Sequence, residues 1–479
     1  MSQALAADAS VVRATDQASS LIPASVTASA EPNGRLAFGF GPRFFLALLL
    51  GLVWLVPAWW SSKFVVAMVL WDALVFLAWM ADLLHLPAPA QLQAKRIWSE
   101  PLSLGRAASV VIEIQNGSLV PIYATLVDET PVTLRDQPAA LEAALPAGSL
   151  ARNEYAILPR VRGDVALGRL FLKYRTTLGF AERWAAADIA QNIRVLPDLI
   201  AARRHALYLI RSRQVDMEKR RRRQRGTGRE FQALRDYRQG DEMRNIHWPA
   251  TARRHQLTTR TYQVERSQSV WIIIDAGRLL RAQVWEPGRT FPITKLDYAV
   301  DAALSLAQVA AQSGDRVGLL AYGRSIQQTV GVGRGSRHIR TLLDSLAQVR
   351  SESTEANHAQ AARVLLRRQS RRALLVWITD FAETETLPEV IEHAARMTRR
   401  HLVLFAALTQ PDLQALATAV PQTEEDMFRH TAALEIAERR QRVLRGLRER
   451  GVLAIDLVPG GLTDSLINQY LEIKDRSLI

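Results

Sequence analysis

The side chains best supplied for chemistry lie between Gly228 and Arg253, in a stretch where arginines and acids alternate. Arg235, Arg238, Arg244 and Arg253 stand among Glu230, Asp236, Asp241 and Glu242. Planar guanidinium groups fork onto carboxylates in bidentate pairs, so such a set reads as a self-neutralising network whose charges are partly buried. Gly240 permits a turn with positive φ, and Tyr237, Ile246 and Trp248 supply apolar anchors. The network predicts a structural lock onto a neighbouring domain; the alternative is a dock for an anion or a partner protein, with the arginines as contacts. His247 and His255 invite a metal or acid-base reading, but no cysteine and no carboxylate stands at ligand spacing on a helix. Solvent-facing or hydrogen-bonded imidazoles are expected instead.

Just upstream, Lys219, Arg220, Arg221, Arg222, Arg223 and Arg225 form a run of like charge, expected to be a solvated loop or an anion-facing strip, for example towards lipid headgroups. Residues 201–260 carry 17 Lys and Arg against 6 Asp and Glu, so most of the chain's net +14 sits in one eighth of its length. The charge is therefore local, and a generally basic nucleic-acid binder is not what the sequence describes. No aromatic or fold signature of nucleic-acid recognition accompanies the run.

The whole chain of 479 residues is 48% hydrophobic and has no cysteine, which excludes a disordered chain, disulfides, thiolate metal sites and a thiol nucleophile. It also lacks a phosphate-binding P-loop, a Gly-x-Ser-x-Gly elbow and a His-Glu-x-x-His zinc helix. A reducing compartment fits a long chain without disulfide staples.

The elements around these residues change character along the chain. Residues 1–40, rich in Ala, Ser, Thr and Pro, read as a disordered tail. Residues 41–86 read as a transmembrane helical hairpin. Phe44 to Trp60 is free of charge, Phe64 to Leu84 holds only Asp72 and Asp82, and Ser61, Ser62 and Lys63 join them. Each run approaches the roughly 20 residues that cross a hydrocarbon core. Trp54, Trp59, Trp60, Trp71 and Trp79 suit membrane interfaces, and a buried soluble hairpin is the alternative. Arg35, Arg43, Lys95 and Arg96 flank the hairpin against Lys63 in its turn, which places both termini in the cytoplasm of a bacterial inner membrane. Asp72, near the middle of the second span with no partner acid or base nearby in sequence, reads as a protonated or helix-pairing residue rather than a proton relay.

Residues 92–200 alternate over short runs, such as Ala108 to Gln115, Ile122 to Val127 and Gly168 to Tyr174, and read as a β-sandwich-like spacer or docking module. Residues 201–265 form the basic segment, and residues 266–479 alternate strands and helices in the manner of a doubly wound, mainly parallel α/β domain. The fold class is thus multidomain: hairpin, sandwich, then α/β.

The stretch resembles the central motif of the domain of unknown function 58 family, bacterial proteins distantly related to von Willebrand factor A domains. The carrying residues are Glu230, Phe231, Arg235, Asp236, Tyr237, Gly240, Asp241, Arg244, Ile246, Trp248, Ala252 and Arg253, and the architecture extends the likeness over roughly residues 44–460. The resemblance implies a von Willebrand A-like α/β domain and an association with AAA+ ATPases of the MoxR type in complex assembly or maturation. It also raises a Mg²⁺ site at the carboxyl edge of the sheet, where such domains place Asp-x-Ser-x-Ser, a threonine and a second aspartate. Here Asp275, Thr354 and Asp380 match the flanking groups, while Gly277 and Leu279 replace both serines and Arg278 adds a positive charge. The expectation is therefore a membrane-anchored, non-catalytic scaffold that binds protein partners and the lipid bilayer, with no cofactor beyond a possible Mg²⁺. A metal-dependent phosphoesterase using Asp275, Asp380 and Arg278 is the enzymatic alternative, and an anionic lipid or nucleic-acid binder the third.

Overall fold

The computed structural model describes residues 22–198, 202, 230–237, 243, 246–263, 267–286, 288–381 and 387–476. The chain divides into two compact units, Met1–Asp198 and Leu199–Ile479.

The first unit begins with β1 (Val26–Pro32) and β2 (Phe38–Phe40), followed by α1 (Pro42–Gly51), a 3₁₀ turn over Leu52–Trp54, α2 (Leu55–Ala58) and α3 (Lys63–His85). Strands β3 (Leu92–Trp98), β4 (Ala108–Asn116), β5 (Ile122–Asp128), β6 (Ala139–Leu145) and β7 (Leu150–Ile157) come next. Then follow β8 (Gly163–Leu167), β9 (Leu170–Thr176), β10 (Ala181–Ala187) and β11 (Gln191–Val195). The main antiparallel sheet runs β6-β5-β9-β10-β1-β3-β4-β7, with β2 also on β10, and β8 pairs with β11 separately. Strand β1 joins its two halves: Val26–Ser29 pair with β3 and Ala30–Pro32 pair with β10.

This corrects the reading of residues 1–40 as a disordered tail, because Val26 to Phe40 supply two strands of the sheet. The physical reason is that small alternating residues (Val-Thr-Ala-Ser-Ala) carry little hydropathy yet fit a crowded junction, where Ala30 is buried. Composition averages over that period-2 signal.

Helix α3 is long and apolar enough to cross a membrane, while Pro42–Ala58 is a shorter apolar segment interrupted by its 3₁₀ turn. The helices meet closely at Gly51, where a Cβ would stand 2.7 Å from the Trp71 ring, and Trp71 Nε1 donates to Ala47 O at 2.9 Å. Asp82, which the sequence places inside the second span, is instead buried against the sheet. It accepts from Phe180 N at 2.8 Å, Ala181 N at 2.9 Å and the Thr176 hydroxyl. Arg43 donates to Thr177 O and Leu178 O at 2.8 and 3.0 Å, tying the start of α1 to the same turn. Both ends of the helical segment are thus fastened to one β unit. Arg96 is not a surface flanking charge: its guanidinium is fully buried on Asp128.

In the second unit, β12 (Glu230–Asp236) and β13 (Thr258–Gln263) form an antiparallel ribbon of their own, bracketing α4 (Trp248–Arg254). The α/β part follows with β14 (Ser269–Asp275), a small β15 (Gln283–Val284) and β16 (Ile293–Thr294) pair, α5 (Lys295–Gln312), β17 (Arg316–Tyr322) and β18 (Ile326–Gly333). It continues with α6 (Ser336–Gln348), α7 (His358–Arg368), β19 (Leu374–Thr379), α8 (Leu387–Thr398) and β20 (Leu402–Leu408). It closes with α9 (Pro411–Thr418), α10 (Glu424–Arg448), β21 (Leu453–Leu457) and α11 (Leu462–Asp475).

The sheet order is β18-β17-β14-β19-β20-β21, parallel except for β18 at one edge. All seven residues of β14 and all six of β19 are buried, as continuous apolar runs require when helices cover both faces. Trp271, Tyr322, Trp377 and Phe405 fill one face, with Trp377 stacked on Phe405 at 5.3 Å. From β14 the chain goes out to β17 and β18, then returns to β19 on the other side of β14. The order therefore reverses between β14 and β19, and a crevice opens at their carboxyl ends.

Candidate functional site at the sheet switch point

Asp275 ends β14 and Asp380 directly follows β19, so the doubled-back topology brings both acids to the crevice. Asp275 is 3% exposed, and both its oxygens are used: Oδ1 accepts from Gly277 N at 2.7 Å and Oδ2 from Thr379 Oγ1 at 2.6 Å. Burial pushes the Asp275 carboxyl above its ordinary value, against the help of those donors. His358, at the start of α7, is held below its ordinary value by burial. His358, Thr379 and Gly277, in that order, offset part of the rise at Asp275. His358 Nδ1 lies 2.7 Å from Tyr322 Oη, which accepts from Trp377 Nε1 at 2.6 Å, and burial lifts the Tyr322 phenol well above its usual range.

Asp380 carries two cations. Lys295 Nζ donates to Oδ2 at 2.7 Å, and Arg440 Nη1 donates to Oδ1. Arg440 reaches on to Asp456 Oδ1 through Nη2 and Nε, at 2.7 and 3.0 Å. Against the pull of burial, Asp380 and Asp456 hold the Arg440 guanidinium above its usual value. Lys295, Asp380 and Arg440 have 3, 2 and 6% of their side chains exposed, so this is a desolvated cluster of two cations and two carboxylates. Each charge has an opposite partner, which is the condition for keeping charges inside a fold. The cluster forms one wall of a cleft of about 550 Å³, whose mouth holds Arg278, Arg281 and Gln410.

Local sequence explains the positions. Thr294 and Asp297 form a capping box that fixes the first turn of α5, placing Lys295 at its start. A lysine there opposes the helix dipole, and Asp380 supplies the compensating charge. Arg440 sits on the inward stripe of α10 with Ala433, Val443, Leu444 and Leu447. Neither residue stands out in the sequence, since a charge on a helix is usually solvated. The dipole-opposed lysine and the spacing of seven between Ala433 and Arg440 were the available signals.

The third residue of the expected metal set lies apart in character. The loop bearing Thr354 does run beside Asp275, since Arg278 N donates to Thr354 O at 3.0 Å and Glu352 N to Ala276 O at 2.8 Å. Thr354 itself is exposed, and its hydroxyl donates to Glu352. A divalent ion wants several hard oxygens in octahedral array. Asp380 already holds an ammonium and a guanidinium, and Asp275 holds a hydroxyl and an amide. Among the described residues no group of three or more His, Asp or Glu could hold a metal ion. The residues present do not fit Mg²⁺.

The motif residues fall elsewhere. Ile246 is buried and bridges to Thr259, Tyr237 N donates to Leu257 O at 2.7 Å, and His247 caps α4 by accepting from Ala250 N at 3.0 Å. Asp236, Trp248, Ala252 and Arg253 are exposed. His255 ends α4 in the left-handed conformation, φ 54°. The side chains of Glu230, Phe231 and Arg235 lie outside the described residues. So do Arg238, Gly240, Asp241, Glu242 and Arg244, and the run Lys219, Arg220, Arg221, Arg222, Arg223 and Arg225.

A doubly wound sheet with an internally neutralised crevice, preceded by a ribbon carrying the arginine-rich motif, defines the class. Residues 233–444 match the family described as Protein of unknown function DUF58. Three uncharacterized proteins, from Mycobacterium bovis and two strains of Mycobacterium tuberculosis, are each 28% identical over 158 residues, covering 33% of this chain. The chain spans about half the length of these relatives, 48%. A conserved hypothetical protein, BatB from Bacteroides thetaiotaomicron, aligns over 44% of this chain and 100% of its own at 13% identity and TM-score 0.30. An uncharacterized membrane spanning protein from Vibrio fischeri aligns over 43% of this chain and 98% of its own at 9% identity and TM-score 0.17.

Proposed function

We propose that the chain is a membrane-anchored, non-catalytic scaffold. Two spans hold it in a bacterial inner membrane with both termini cytoplasmic. Its α/β unit, von Willebrand A-like, receives protein partners at the carboxyl edge of the sheet. A MoxR-type AAA+ ATPase, implied by the family resemblance, is one such partner in complex assembly or maturation.

The observation that carries this reading is the saturation of the crevice. A general base, nucleophile or metal ligand acts best through an oxygen free of internal donors, and each oxygen of Asp275 and Asp380 already accepts from one. What remains facing the cleft is a mixed lining, with Leu279, Leu413 and Ile436 beside Arg281 and the paired charges, suited to recognition. The α/β reading is supported by the meeting of Asp275, Asp380 and the Thr354 loop, the three places the resemblance calls for. Two spans are supported by the anchoring of strands before and after the helices in one β unit, since a chain that leaves and re-enters the same domain ends on the side where it began. The test is affinity purification of the full chain from detergent-solubilised native membranes. Recovery of an AAA+ ATPase, reduced by Arg281→Glu, is expected; recovery of the chain alone while the ATPase is present in the extract would overturn the partnership.

A further inference from the structure

The end of the β12–β13 ribbon is turned inside out. Ile246 is buried there, but Met243, Trp248 and Leu257 are 75, 64 and 46% exposed. They share one knuckle: Ile246 N donates to Met243 O at 3.2 Å, and His247 N donates to Thr258 O at 2.8 Å, so Trp248 and Leu257 flank one bonded pair. The left-handed His255 reverses the chain after α4 and returns Leu257 beside the helix start. Arg253 and His255 are exposed on the same turn. Three large apolar side chains in water on a convex turn cost free energy unless something covers them.

The geometry points to an anionic bilayer surface as the occupant, with Met243, Trp248 and Leu257 entering the headgroup layer and Arg253 meeting lipid phosphates. Charge complementarity selects it. The stretch of sequence that contains the knuckle, residues 201–260, carries 17 cations against 6 anions, and apolar tips in a strongly basic segment are the composition of interfacial membrane contacts. Tryptophan favours the headgroup level. This rests on the membrane-anchored reading for the presence of a bilayer, and on no ATPase partner.

The chain has no cysteine, so Met243→Cys gives one attachment point for a bimane label on the full chain. The labelled chain is reconstituted in phosphatidylcholine vesicles with or without phosphatidylglycerol. Blue-shifted emission, quenched by spin-labelled lipid, is expected only with phosphatidylglycerol and should be reversed by high salt. Trp248→Ser with Leu257→Ser should abolish the quenching, and Arg253→Ala should weaken the contact roughly fivefold. Both sites are exposed, and circular dichroism checks that the variants keep their fold. Equal emission with and without anionic lipid overturns the proposal. A blue shift that persists in detergent, without lipid quenching, also overturns it by assigning the cover to this chain or a second copy. Any of these failures leaves ATPase recovery unaffected, so the scaffold reading is tested separately.

Discussion

Two buried ion clusters, one in each unit, use the same groups for different ends. In the β unit, Arg96 and Asp128 have fully buried side chains, and Arg96 also donates to Ile189 O at 2.8 Å and Gly168 O at 3.2 Å. The Tyr155 hydroxyl donates to the same carboxylate, and burial with that negative charge raises the phenol above its usual range. Every donor is spent within the core, holding β3, β5 and β7 together. In the α/β unit, Lys295, Asp380, Arg440 and Asp456 are equally paired, but the first three line a cleft and Asp456 keeps 27% of its side chain exposed. A carboxylate bearing a cation is thus a staple where the sheet seals it and a recognition surface where topology opens a crevice beside it.

The sharpest way to break the comparison is to remove one partner from each cluster. Asp128→Ala leaves an unpaired guanidinium in a sealed core, and denaturation of the full chain in detergent should show a loss of about 3–5 kcal/mol. Arg440→Met should cost less, about 2–3 kcal/mol, because Lys295 still neutralises Asp380 and Asp456 can turn to water. Equal losses would show that the cleft cluster is as sealed as the core one. Partner recovery should also separate them: Arg440→Met changes the cleft, whereas Arg96→Met with Asp128→Leu refills the core without touching it.

The crevice also carries a pH signature between acid and neutral pH. Asp275 has a raised folded pKa, so the native state prefers its protonated form, and its contribution falls as pH rises through the ordinary carboxyl range towards the folded value. Asp275→Asn should therefore gain stability relative to the parent as pH rises, with the advantage vanishing in strong acid. His358 has a lowered folded pKa, so its contribution is lost as pH falls below the ordinary imidazole value of about 6.5. His358→Gln should flatten that acid limb. Denaturant melts across the pH range check both slopes, and a pH-independent difference for Asp275→Asn would show that its carboxyl is not strained by burial.

How much of this was legible in the sequence follows from the same physics. The α/β elements stand out because buried parallel strands are continuous apolar runs and their helices keep a 3.6-residue stripe, as in the helix Lys295–Gln312. Asp275 and Asp380 were singled out by the family resemblance, which expects acids at the ends of such runs. Strand β18 was not, since its residues are all intermediate or exposed, as an antiparallel edge permits. Strand β1 hid behind small residues, and β2 is only three residues long. Lys295 and Arg440 hid because a charge on a helix is usually solvated, and only a partner distant in sequence makes it otherwise: Asp380 lies 85 and 60 positions away.

Arg439 and Arg440 carry the comparison down to its smallest effect. They are neighbours on one helix with the same side chain, yet Arg439 pairs with Glu435 one turn away, with 48 and 61% of the two side chains exposed. Water screens that pair, and ordering two long side chains offsets most of its attraction. Arg439→Ala should cost about 0.5 kcal/mol or less, and added salt should erase the difference. Arg440→Met should keep most of its larger cost in salt, because a desolvated pair is screened far less. If the two variants respond alike to salt, then water reaches Arg440 as freely as Arg439, and the cleft is wetter than a 6% exposed guanidinium implies.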